Sequence, residues 1–303
     1  MPYPIETIAK IAARHGLAGE LRRLPDTGMC NDAWQIGETH VLRVPHKAEW
    51  ERESFVEALA VPAARLAGVC TPALVALGDE RDLTPLAYTL YERALGVPLG
   101  TLDLQPMDCP GLWAELARQM LLMHRGVLDI PGADGVIGNP FVHPARENLK
   151  KARAQKLLEP GEIEEIAAWI DALEASPGAP PGKVFLHRDL HPWNLLVDPG
   201  TCTLEAIIDW GDAAFGDLAL EFSSLPLGVI PLTLAEYRSD GGEVDGEIVP
   251  RILLHWLGLA LWELRLGDPN VFRRHWWCWP VGGWAQAKRE LAFWPSDLAF
   301  PRP

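Results

Sequence analysis

Nowhere in its 303 residues does this chain carry the run of about 18 apolar residues that crosses a membrane. The N-terminus, MPYPIETIAKIAARHG, lacks the basic start and apolar centre of a secretory signal and reads as an amphipathic helix. Basic residues are also scarce. The 27 Lys and Arg against 41 Asp and Glu leave a formal charge of −14, which argues against nucleic acid as a partner. That balance suits a cationic ligand, and suits equally well a protein kept soluble by an acidic surface. Cysteine is sparse. The five cysteines (30, 70, 109, 202 and 278) include no two at metal-ligand spacing, and the odd, scattered set reads as reduced thiols in the cytosol. The expected location is therefore cytoplasmic, with no membrane and no obligate protein partner evident. No internal repeat or low-complexity tract stands out. What is plentiful is apolar: 48% hydrophobic residues and thirteen tryptophans, enough for a large core at a length that suggests about two domains.

The most informative stretch is Val184 to Gly216, VFLHRDLHPWNLLVDPGTCTLEAIIDWGDAAFG. An apolar run, VFL, leads into a polar cluster of His187, Asp189, His191 and Asn194. A second apolar run, LEAII, then delivers Asp209 and Asp212. An aspartate, an asparagine five positions later and a further aspartate beyond a short hairpin are the parts that phosphoryl transfer needs. One carboxylate orients and deprotonates the attacking hydroxyl, and oxygen ligands hold the metal ions on the nucleotide phosphates.

The stretch resembles the kinase catalytic loop, H-R-D-x-x-x-x-N, with IIDWGD in the place of D-F-G. In the form HRDLHPWN…IDWGDAAFGD it is more similar to the aminoglycoside phosphotransferase (antibiotic kinase) family than to protein kinases. The resemblance implies an α+β, two-lobe protein-kinase-like fold with a small antiparallel-sheet N-lobe and a larger, mostly helical C-lobe. Residues 1–93 would form the nucleotide-binding lobe, 94–100 the linker, and 101–303 the catalytic and acceptor-binding lobe. It also implies ATP or GTP as co-substrate and Mg2+ as cofactor. Asp189 would be the base, Asn194 and Asp209 the metal ligands, and His187 a hydrogen-bonding anchor of the loop. Asp217 would brace that loop or cap the next helix. His191, Asp212 and Glu221 are candidates to meet the acceptor.

In the first lobe, LRRLPDTG, NDAWQIG and HVLRVP read as three antiparallel strands, and PALVALGD and LAYTLYER as two more. Apolar spacing at Trp50, Phe55, Val56 and Leu59 predicts an intervening helix that ends at Pro62. The loop PDTGMCND lies where kinases cover the phosphates. Gly28 allows close backbone approach, Asn31 and Asp32 tolerate turn geometry, and the loop reads otherwise as an ordinary hairpin turn. Arg43 stands where the family usually has its phosphate-contacting lysine. Glu53 is its best-matching partner, with Glu57 one turn later as the fallback. Tyr91 to Arg93 occupy the place where a kinase backbone pairs with the base.

The second lobe reads as helical from about residue 101. One helix covers GLWAELARQMLLMHRGVL, a helical pair is parted at Pro160-Gly161, and an aromatic C-terminal part follows. His124 reads as a packing residue. Tryptophans 256, 262, 276, 277, 279, 284 and 294 are either core or pocket lining. Three functions fit: an antibiotic kinase for an aminoglycoside, macrolide or similar compound; a metabolic kinase for a sugar, choline-like amine or amino alcohol; and an inactive kinase-like nucleotide-binding module. Acidic residues after 212 favour a cationic acceptor, whereas the tryptophans favour a sugar face or macrocycle.

Overall fold

The computed structural model describes residues 3–25, 30–176, 182–266 and 283–303. Its first part is a five-stranded antiparallel sheet of order β1-β2-β3-β5-β4, formed by Leu21–Arg23, Asn31–Ile36, His40–Pro45, Tyr88–Glu92 (β5) and Leu74–Gly78 (β4). Alternation along these strands sorts their side chains. Trp34, Ile36, Leu42, Val44, Tyr88 and Leu90 face helix α1 (Ile5–Arg14), which inserts Ile8 and Ile11 to make a small core. The odd-numbered residues Arg43, Thr89 and Tyr91 face the other way, towards α2 (Glu51–Leu66).

Helix α2 does not stop at Pro62 as expected but runs on to Leu66. An interior proline costs about 3 kcal/mol because it removes a hydrogen bond and crowds the preceding turn. Val56, Ala60, Val61 and Ala64, all fully buried, outweigh that cost by packing into the main core.

After β5 the chain crosses to the second lobe through β6 (Val97–Pro98), which pairs with β8 (Leu195–Val197) of the catalytic hairpin. Gly100 then passes so close to the Trp193 ring that a Cβ would sit 2.6 Å from it. Helices α3 (Pro110–Gly126), α4 (Ala145–Ala154) and α5 (Pro160–Glu174) follow, the last opened by the proline expected to part the helical pair. Strand β7 (Lys183–Leu186) leads into the catalytic loop, β8 and β9 (Leu204–Ile207) form its hairpin, and β10 (Ala214–Asp217) returns to pair with β7. Helices α6 (Ala219–Phe222), α7 (Ile230–Ser239), α8 (Ile248–Leu266) and α9 (Gly283–Ala292) complete the lobe.

Of the C-terminal tryptophans, Trp256, Trp284 and Trp294 are buried in the core. Trp262 pairs with the His143 ring at 4.6 Å, and 276, 277 and 279 lie outside the described residues. His124 is buried, with its Nδ1 3.0 Å from the Tyr237 hydroxyl, and burial lowers its pKa to about 3. The expectation of reduced thiols is corrected for one pair. Cys109, just before α3, is joined by a disulfide to Cys202 in the β8–β9 turn. Their separation of 93 residues matches no local spacing rule, so only the packing of α3 beside the hairpin brings them together. No helix among the described residues is long and apolar enough to cross a membrane.

Candidate active site

The catalytic loop is shaped by its backbone. Arg188 adopts φ 75° and Asp209 φ 68°, both in the left-handed region that side-chain-bearing residues seldom enter. Such conformations persist only where the surroundings hold them. At Arg188 the holder is Glu221, whose carboxylate accepts the N–H of His187 at 3.0 Å and of Arg188 at 2.9 Å. The Arg188 guanidinium reaches the carbonyls of Phe141 and Leu220.

His187 is fully buried, and burial lowers its pKa to about 4, so its ring is neutral. Nε2–H donates to the Ile208 carbonyl at 3.0 Å, and Nδ1 accepts the Asp189 N–H at 3.2 Å. The histidine thus joins the catalytic loop to the residue preceding Asp209. A second link is the Ile208 N–H, which donates to the Asn194 carbonyl at 3.0 Å.

Asn194 donates through Nδ2 to the Asp189 carbonyl at 2.9 Å and to Asp189 Oδ2 at 2.8 Å. His191 Nε2 lies 3.3 Å from the same Oδ2. Desolvation works against the Asp189 carboxylate, but His191 and Asn194 reverse it and hold the pKa down at about 2. Burial likewise opposes charge on His191, and Asp189 outweighs it, raising the imidazole pKa.

Across the cleft, Arg43 forks between two carboxylates: Nη1 donates to Glu57, and Nη2 to Asp209 Oδ1 at 2.7 Å. The preference for Glu53 as its partner is therefore corrected to Glu57. Helix α2 starts at Glu51, so Glu53 lies in its first turn over Gly211, whereas Glu57 sits one turn deeper against the sheet. Burial first, then Asp209 and Asp212, push Glu53 up to about 7. Asp212, at the rim of the cleft, is pushed up to about 6 by desolvation and by Asp189 and Asp209. Carboxylates thus outnumber cations here.

Other expected residues fall elsewhere. Asp217 does not brace the catalytic loop. It accepts the Ala219 N–H at 3.0 Å and pairs with Arg251 at 2.8 Å. Glu221 does the bracing and, fully buried, is unavailable to an acceptor, because the two loop N–H groups need a carboxylate one helical turn beyond Asp217. Asn31 opens β2 opposite Pro45, and Gly28 lies outside the described residues. Asp32 belongs to no turn. It is buried and accepts from Tyr3, Arg23 and Trp34. The N–H groups of Glu92 and Arg93 are bonded to Ala73 and Thr39, so those two donors are committed within the first lobe. Thr89, Arg188 and the side chain of Tyr91 were missed by sequence reasoning. Only the strand alternation that places Thr89 and Tyr91 beside Arg43 could have signalled two of them.

A five-stranded lobe with one cation facing an Asp–Asn–Asp loop on a helical lobe is the architecture of the kinase-like phosphotransferases, which phosphorylate hydroxyl groups. Residues 22–251 match the model of the phosphotransferase enzyme family (APH), and the chain belongs to that family. Among solved structures it is similar to a GDP complex of wild-type aminoglycoside 2'-phosphotransferase-IIIa: TM-score 0.67, 19% identity, covering 95% of this chain and 98% of that one. It is also similar to macrolide 2'-phosphotransferase type I (0.61, 20%, 88% and 94%). A third is the apoenzyme of macrolide 2'-phosphotransferase MphH from Brachybacterium faecium (0.61, 24%, 88% and 95%). None of the curated proteins matches this chain in sequence.

Proposed function

We propose that this protein transfers the γ-phosphoryl group of ATP or GTP to a hydroxyl of an antibiotic-like small molecule. The observation that carries the reading is Asp189. Asn194 and His191 both engage its Oδ2, which keeps the carboxylate ionised and leaves Oδ1 to take the acceptor's hydroxyl hydrogen bond. Phosphoryl transfer proceeds through a loose transition state, so the base mainly aligns the hydroxyl and then receives its proton. His187 and Glu221 hold the loop in the conformation that aims Asp189.

Magnesium fits the residues present. No group of three or more His, Cys, Asp or Glu side chains converges on one point among the described residues. Magnesium does not require such a cage, since it keeps several waters and takes one or two protein oxygens plus phosphates. Asn194 Oδ1 and Asp209 would supply those oxygens, and the raised Glu53 and Asp212 mark a cleft short of positive charge. When bound, the ion neutralises phosphate charge. Arg43 would contribute fixed positive charge on the nucleotide side, and the segment from Tyr91 to Arg93 would border the base.

The sequence leans towards a cationic, aminoglycoside-like acceptor. The placement of four of the acidic residues behind that lean takes them out of reach of an acceptor and supports the macrolide-type alternative. Glu221 and Glu263 are buried, and Asp240 and Asp245 stand beside Arg118 and Arg251. Meanwhile exposed Phe141, whose carbonyl is held by Arg188, forms an aromatic row with His143 and Trp262. Phosphate transfer from ATP and GTP to an aminoglycoside panel and a macrolide panel is the test. Transfer to macrolides with little dependence on salt is expected. Transfer only to aminoglycosides, with affinity falling steeply in salt, would reverse the acceptor preference. No transfer to any hydroxylated acceptor would sink the kinase reading.

A further inference from the structure

Thr89 and Tyr91 stand on β5, the strand beside Arg43, and the register decides what they can touch. Arg43 lies directly opposite Thr89, and Val41 opposite Tyr91, so Tyr91 is the diagonal neighbour of Arg43 on the α2 face. Into that face α2 lowers Glu57, which is 2% exposed. One carboxylate oxygen, Oε1, takes the Arg43 Nη1. The other, Oε2, receives the Tyr91 hydroxyl at 2.6 Å and the Thr89 hydroxyl at 3.2 Å. Arg43 Nη2 continues to Asp209. A buried carboxylate without such donors would be driven towards its neutral form.

We infer that Tyr91 is a positioning residue, with Thr89 in support, whose hydroxyl fixes the plane of the Glu57 carboxylate and through it the fork of Arg43. The reason lies in the difference between the two cations. A lysine ammonium is a compact point charge with three rotatable donors and tolerates any rotation of its carboxylate partner. A guanidinium is a rigid plane, so rotating Glu57 rotates the second nitrogen away from Asp209 and the phosphate side of the cleft. With arginine at position 43 the carboxylate needs a second tether, and Tyr91 supplies it from the end of β5, where the chain leaves the sheet. The inference rests on the proposed reading that Arg43 faces the nucleotide phosphates.

Isothermal titration of Mg·ATP and Mg·GTP into wild type, Tyr91→Phe, Arg43→Lys and the double variant tests it without an acceptor. Removing the hydroxyl is expected to weaken nucleotide Kd about five- to tenfold with Arg43 present, and less than about twofold with lysine there. A tyrosine that only supports packing would lower the thermal midpoint by the same amount in both backgrounds and leave Kd unmoved. That pattern, or an equal loss of affinity in both backgrounds, overturns the inference. Tyr91→Phe removes a single oxygen atom, so even if a lysine variant fails to fold, an unmoved Kd against wild type overturns the inference. Wild type that binds neither nucleotide overturns both this inference and the phosphate reading. Wild type that binds, with Tyr91→Phe unchanged, overturns this inference alone.

Discussion

Asp189 shows how one residue's ionisation is set by its neighbours. A carboxylate in this cleft faces desolvation, yet His191 and Asn194 hold its pKa near 2. The residue should therefore be anionic at any pH where the protein is folded. Asp189→Ala is expected to cut kcat by at least about 100-fold, the usual worth of general base catalysis, while nucleotide Kd stays within about twofold. Steady-state rates and a nucleotide titration check both halves, and a variant that keeps a tenth of its turnover would remove Asp189 from the role. At this scale the sequence is readable where chemistry is local. Asp189 and Asn194 are five positions apart, and one short hairpin carries Asp209 to the same cleft. Glu53 and Glu57 are not separable by that logic. Both point from one side of the same helix, and only the depth at which α2 meets the sheet selects Glu57.

Among elements, the contact of greatest consequence is between the one-turn helix α6 and the catalytic loop. Glu221 supplies the acceptor for two N–H groups, one buried and one part-buried, the latter on a residue in the left-handed region. Glu221→Ala would orphan both, and each buried unsatisfied donor costs about 1–3 kcal/mol. Urea unfolding should register that loss, and turnover should fall with it as the loop relaxes. Glu221→Gln, which retains one carbonyl oxygen, should lose less on both measures. Equal stability of Glu221→Ala and wild type would show that the loop is held by other contacts. Strand order, the helix between β3 and β4 and the helical second lobe are legible from apolar period and turn residues. The roles of Glu221 and Asp217 are not, because each depends on partners more than thirty residues away in sequence. Pro62 misleads for a related reason: local propensity marks a stop, and tertiary burial overrides it.

For the molecule as a whole, two sets of buried titrating groups act on stability in opposite senses between about pH 4 and pH 7. His124, His143, His187 and His255 are held neutral by burial, with pKa values lowered to about 3, 4, 4 and 4. Their contribution is present above about 6.5, the value in an unfolded chain, and is lost as pH falls towards 4. Glu53 and Glu221 behave in the opposite sense. Raised to about 7, chiefly by burial, they stabilise most below about 4.5 and lose that contribution as pH rises through 7. The thermal midpoint is expected to rise from about pH 4 to a plateau at about pH 6.5–7, because four histidines outweigh two glutamates over that window. A pH series of melting curves tests this, and Glu221→Gln should steepen the rise between about pH 4.5 and 6.5. A slope in that window left unchanged by Glu221→Gln would contradict the raised pKa of Glu221. Composition announces nothing of this, because nine histidines in a sequence say nothing about which are buried.

The Cys109–Cys202 bond closes a ring around α3, α4, α5 and the catalytic loop, with Asp189 and Asn194 inside it. The segment between α3 and α4, where Leu128 and Phe141 are exposed, belongs to that ring. A protease that cuts there divides the backbone without releasing a fragment. The clipped molecule keeps its mass and its catalytic loop, migrates as one band in a denaturing gel, and parts into two only when a thiol reductant is added.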